Sequence, residues 1–130
     1  MGTFIAYLDT SEVLPGKLGE LKEAMAGLAA FVEQNEPQIL SYSVYFSDDG
    51  TTMKVLHLHA DLASLELHLK VAGARFPAVA PLITMKTIDV FGRPTEELLA
   101  RLRAKAQLLG TGTGSVIVHG IHAGFARFVP

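Results

Sequence analysis

The sequence predicts a single α+β domain, and three observations carry the prediction. Its 130 residues suffice for one core and are too few for two ordinary ones. Short apolar runs rich in β-branched and aromatic residues alternate with longer stretches of helical periodicity, and Gly, Pro and Asp punctuation separates them. Charged side chains make up only 18% of the chain against roughly 25% in an average domain. With so few polar residues to cover an isolated subunit, an apolar subunit interface is expected.

The first strand is expected over Thr3-Phe4-Ile5-Ala6-Tyr7-Leu8, ending at Asp9-Thr10-Ser11. After Pro15-Gly16, the spacing of Leu18, Leu21, Met25, Leu28 and Val32 puts one apolar stripe on a helix, which must stop before Pro37 because Glu36 is pushed to extended geometry. Ile39–Phe46 then alternates, with Leu40, Tyr42, Val44 and Phe46 expected on one face and Ser41, Ser43 and Tyr45 on the other. Asp49-Gly50 marks a hairpin into a strand over Thr52–His59. Asp61 is a good N-cap for a helix carrying Leu62, Leu65, Leu69 and Ala72, which ends near Gly73. A fourth strand follows at Leu82–Phe91. Thr95 can cap a further helix with Leu98, Leu102, Ala106 and Leu109 as its stripe, Gly110 as its stop, and Arg101, Arg103 and Lys105 as a solvated face. Val116–Val118 reads as a short last strand.

The order βαββαβ with two crossover helices predicts the ferredoxin-like arrangement, an antiparallel sheet with both helices on one face. The bare face can be covered by a second copy, giving a dimeric α/β barrel. Residues 1–92 form this domain, and residues 93–130 form a helix–strand extension of it, with the question open whether the extension is exchanged between subunits.

Several chemistries are excluded. Without cysteine the chain has no disulfide, no thiolate nucleophile and no Cys-ligated zinc or iron–sulfur site. A net charge of −2 gives no footprint for nucleic acid, and no apolar run has membrane length, so cytoplasmic localisation without membrane partners is expected. Charge is uneven, with eight acids and two bases in residues 1–50 and the opposite bias after them, which points to pairing between the two parts. Gly110–Ser115 lacks the Gly-Lys-Ser/Thr ending of a phosphate loop.

His57 and His59, two apart on one strand, project from the same face and can share a ligand, a proton or a metal. His68 borders the apolar stripe of the next helix and can meet them over the sheet. His119 and His122 lie in a Gly-rich tail and read as solvent or interface residues.

Asp61–Leu69, with its Leu65-Glu66-x-His68 core, directly follows a strand and resembles the antibiotic biosynthesis monooxygenase family, including its quinol monooxygenase-like members. Glu36-Pro37 leading into Leu40-x-Tyr42-x-Val44 resembles that family's entry to its second strand. The resemblance covers about residues 3–92. It implies a homodimer of ferredoxin-like subunits, each with a cavity between helices and sheet, and oxygenation of a small aromatic phenol, quinol or polyketide without metal, flavin or other cofactor. His59, His68 and His57 are then the expected catalytic residues, with Tyr45, Leu65 and Phe76 lining the substrate pocket. This sequence departs from the family at the Glu-x-Trp positions, which fall on His57 and His59, and it has no tryptophan. It also lacks the histidine that haem-degrading relatives carry in the stretch matching Arg75–Ala80. Two other readings stay open: a noncatalytic dimeric ligand-binding or scaffold protein, and a metal-dependent enzyme built on the His57/His59 pair.

Overall fold

The computed structural model describes residues 4–127. Thr3, expected to open the first strand, and the last three residues of the expected extension lie outside the described residues. Strand β1 (Ile5–Val13) is followed by α1 (Leu18–Asn35), β2 (Ile39–Phe46), β3 (Thr52–His59) and α2 (Leu62–Ala72). Two 3₁₀ turns flank the single-turn α3 (Phe76–Val79) before β4 (Ile83–Phe91), α4 (Glu96–Leu109) and β5 (Ser115–His119). The strands form one sheet in the order β2-β3-β1-β4-β5. The first four are antiparallel, which is the expected ferredoxin-like fold, and β5 adds in parallel beside β4.

Register decides which side chains reach the core. Tyr42, His57, Tyr7 and Val90 lie opposite one another across four strands and form a row on the inner, helix-covered face. The next inner row is Val44, Val55, Asp9 and Ile88. Against these rows α1 packs Leu21, Met25, Leu28 and Val32, α2 packs Leu65 and Leu69, and α4 packs Leu98, Leu102 and Leu109. Burial of this apolar area is the main force holding the layers together.

The first strand is longer than expected. Asp9 and Ser11 read as a polar strand end, yet both are buried on the inner face and the ladder runs on to Val13. The strand continues because its period of two keeps Ile5, Tyr7, Asp9, Ser11 and Val13 on one face, and Asp9 finds partners there. Leu40 also departs from expectation. The pairing register shifts between Ile39 and Ser41, which takes Leu40 out of the inner row and leaves it 42% exposed.

The outer face carries Ala6, Leu8, Leu56 and Leu58 in its central strands, with Ser41 and Ser43 beside them and exposed Tyr45, Phe91 and Ile117 at its margins. No helix among the described residues is long and apolar enough to cross a membrane.

Candidate functional site

Six elements bring polar side chains into the centre of the core: β1, the end of α1, β2, β3, α2 and α4. On β3, His57 and His59 share the inner face, as their spacing requires. On α2, Asp61 caps the helix by accepting from the Ser64 amide at 2.9 Å, which fixes the first turn and points His68 down onto the sheet. The three imidazoles are buried and converge. The rings of His57 and His68 are 5.0 Å apart between centroids, and those of His59 and His68 are 5.6 Å apart.

Each ring is held through one nitrogen. His57 Nε2–H donates to Asp9 Oδ2 at 3.1 Å, which fixes its tautomer because a carboxylate only accepts. His59 Nδ1 lies 2.6 Å from Ser64 Oγ. His68 Nδ1 lies 2.8 and 3.0 Å from the two oxygens of Glu36. The other nitrogens, His57 Nδ1, His59 Nε2 and His68 Nε2, are buried without a protein partner. A buried polar atom left unpaired is costly, and three such atoms lie in this one cluster.

Glu36 reaches the cluster because Pro37 ends α1. At the C-cap the Glu36 backbone turns to φ −131° and ψ 71°, and its side chain enters the core instead of continuing the exposed helix face. Asp9 is held by a second partner, Lys105, whose Nζ donates to Asp9 Oδ2 at 3.0 Å and to the Tyr7 hydroxyl at 3.3 Å. The same ammonium lies 4.6 Å from the Phe76 ring centre and 4.9 Å from that of Tyr7.

Lys105 therefore does not belong to a solvated helix face with Arg101 and Arg103; it is 6% exposed. Its place could have been read from the sequence, because positions 98, 102, 105 and 109 follow one helical stripe and Lys105 lies on it with the leucines. Asp9 carried a similar signal in its strand parity, and Glu36 in the proline after it.

Burial outweighs the Asp9 carboxylate at His57 and holds its imidazole well below the ordinary histidine range, hence neutral. Burial, helped by the charges of His68 and Lys105, lowers His59 to about 3. At Asp9 burial pushes upward, but Lys105 and His57 together outweigh it and bring the carboxyl down to about 2. Burial and then Asp9 raise the Tyr7 hydroxyl well above its usual range, and burial raises Tyr42 likewise, so both stay protonated.

Tyr7 stacks on His57 at 3.8 Å with the planes 9° apart, and Tyr42 meets His57 edge-on at 4.9 Å. Two surface grooves have residues of the cluster's surroundings in their walls. One, of about 630 Å³, lies between α1 and the start of β2 and has Glu36 and Tyr42 in its wall. The other, of about 460 Å³, lies between α2, α3 and α4 and has Lys105 and Phe76 in its wall. Of the expected pocket residues, Phe76 thus lines the second groove and Leu65 is fully buried in the core. Tyr45 lies on the opposite sheet face from the histidines and is 56% exposed, because it has the wrong parity on β2. Among the described residues no group of three or more His, Asp or Glu side chains is placed to hold a metal ion. His119 is apart from the cluster, stacked on Phe91 at 5.2 Å and bonded to Asp89 at 2.9 Å.

No protein-family profile and no curated protein matches the chain. Solved structures do. The structure of MupZ from Pseudomonas fluorescens superposes with a TM-score of 0.73 at 19% identity, covering 97% of this chain and 96% of that one, so the likeness includes α4 and β5. A protein from Caulobacter crescentus assigned to the antibiotic biosynthesis monooxygenases superposes with a TM-score of 0.63 at 28% identity, over 72% of this chain and 92% of that one. SnoaB from Streptomyces nogalater, a cofactor-independent oxygenase, gives 0.60 at 16% identity over 72% and 96%.

Proposed function

We propose that this chain, which has the fold of the antibiotic biosynthesis monooxygenases, is a cofactor-independent oxygenase acting on a small phenol, quinol or polyketide-like ring. The observation that carries this reading is the cluster of three buried imidazoles, each anchored through one nitrogen and bare at the other. Two relatives in fold support it by name: the Caulobacter protein is assigned to the antibiotic biosynthesis monooxygenases, and SnoaB is named a cofactor-independent oxygenase.

In this reading the substrate enters from the groove beside Tyr42 and Glu36 and displaces the Tyr42 ring from the edge of His57. A neutral imidazole takes the phenolic proton, geometry first and then basicity, and the apolar surroundings strengthen its hold on the resulting anion. The anion's ring carbon then supplies two electrons to dioxygen. A carbon–oxygen bond forms, the peroxide anion takes up a proton, and loss of water with the remaining C–H proton leaves a ring carbonyl.

Oxygen uptake with a panel of phenols and quinols tests the reading. Turnover that falls at least a hundredfold in a His59→Ala, His68→Ala double variant is expected, since general acid–base groups contribute about 10²–10⁴. Unchanged turnover removes the reading. A second reading, a noncatalytic small-ligand binder, is favoured by one observation: the histidines line neither groove, and His57 stacks tightly on Tyr7. Saturable binding of a phenol with no oxygen uptake is the result it expects. In either case we propose a homodimer, with the outer sheet face around Leu8, Leu56 and Leu58 as its interface.

A further inference from the structure

We infer that two neighbouring imidazoles hold opposite proton roles: His68 presents a hydrogen at Nε2 as donor, and His57 presents a bare Nδ1 as acceptor. The assignment rests on reading the cluster as a proton-transfer site, and a count of buried charge makes it. Apart from the histidines, the buried ionisable carboxylates and ammonium among the described residues are Asp9, Glu36 and Lys105. Asp9 and Lys105 are 3.0 Å apart and cancel. Glu36 has a fully buried side chain, and the ion-pair partner it finds is His68.

An unbalanced buried carboxylate is costly, and one further proton on the Glu36–His68 pair removes the imbalance. That proton can be arranged in two ways. Either the Glu36 carboxylate faces a His68 ring protonated at both nitrogens, or a protonated Glu36 donates to Nδ1 and the ring hydrogen resides on Nε2. Both arrangements put a hydrogen on His68 Nε2.

At His57 the balance is already reached. Its ring hydrogen is committed to Asp9, and Lys105 supplies the cation, so a second ring proton would add an unmatched positive charge. Nδ1 stays bare. The groups facing this pair from every packed element enter the count: Glu36 from the end of α1, Tyr42 from β2, Tyr7 and Asp9 from β1, His59 from β3 and Lys105 from α4. The tyrosines and His59 are neutral and leave it unchanged. A donor and an acceptor on neighbouring rings, whose centroids are 5.0 Å apart, suit a ligand that loses a proton at one atom and gains one at a neighbouring oxygen. In the oxygenation above, His57 is the base and His68 protonates the peroxide anion. Lys105 and Glu36 are positioning residues, because they set these states through Asp9 and His68.

Two-bond proton–nitrogen correlation spectra of the ¹⁵N-labelled full chain at neutral pH separate protonated from bare ring nitrogens. The expected spectrum shows His68 Nε2 protonated and His57 Nδ1 bare. In Lys105→Met, which keeps the apolar stem and removes the cation, Asp9 draws a second proton to its partner and the His57 Nδ1 signal moves to the protonated position. A bare His68 Nε2 or a protonated His57 Nδ1 in the unaltered chain overturns the assignment, and so does an unmoved His57 signal in folded Lys105→Met. The unaltered chain decides by itself if that variant does not fold. The spectra need no substrate, so an inactive protein with the expected spectrum refutes the oxygenase reading alone, and an active one with the wrong spectrum refutes the proton assignment alone.

Discussion

Lys105, Asp9 and His57 form a buried chain of hydrogen bonds, and removing either Lys105 or Asp9 leaves the other's charge unpaired in the core. The same residues make stability depend on pH. An unfolded histidine titrates near 6.5, whereas folded His57 is held well below that and His59 at about 3. Below 6.5 the unfolded chain therefore binds protons that the folded chain refuses, so stability falls as pH falls. The slope approaches about 1.4 kcal/mol per pH unit for each histidine. Asp9 adds to the loss below its ordinary 3.8, where the unfolded carboxyl protonates and the folded one, at about 2, does not. Urea midpoints measured at successive pH values are expected to drop steadily on acidification, with a shallower slope in His59→Gln. A flat midpoint between about pH 6 and 4 contradicts the burial of neutral imidazoles.

At the scale of elements, the junction of α4 and β5 is set by how closely backbones approach. A Cβ at Gly110 would lie 2.5 Å from the carbonyl oxygens of both Ala106 and Met85, so the helix end sits directly on β4. Gly110 was legible as a helix stop, and its second role as a contact surface was not, because the strand it touches is more than twenty positions back in sequence. Gly110→Ala is expected to cost about 1–3 kcal/mol, as overpacking does. Gly27, exposed in α1 with open space around its Cα, gives the opposite sign: Gly27→Ala is expected to stabilise by about 0.4–1 kcal/mol. Thermal or urea unfolding of the two variants checks both directions, and equal effects would contradict the packing at Gly110.

For the molecule as a whole, the helices cover one sheet face and leave the other with a central apolar strip. Leu8 pairs with Leu56 and Ala6 with Leu58 across the middle of that face. A second copy applied sheet to sheet would bury this strip. Light scattering at micromolar concentration is expected to give a dimer for the unaltered chain and a monomer for Leu58→Asp, which places a charge at the centre of the contact. A monomeric unaltered chain refutes the interface. The extension from Pro94 onward also acts at this scale, since α4 carries Lys105 into the site and β5 joins the sheet edge.

What the sequence by itself determined is the set of elements and the faces they bury. Periodicity of two and of 3.6 depends only on neighbours in the chain, so the βαββαβ order, the Asp61 and Thr95 caps and the shared face of His57 and His59 could all be read from it. What only the tertiary structure decided is which partners those faces meet. That Asp9 continues a strand instead of ending one depends on a lysine 96 positions later, and His68 meets a carboxylate 32 positions earlier. Parity can place a charged residue on the inner side, but the energy that makes the placement tolerable comes from the opposite charge, and the folded chain alone brings the two together.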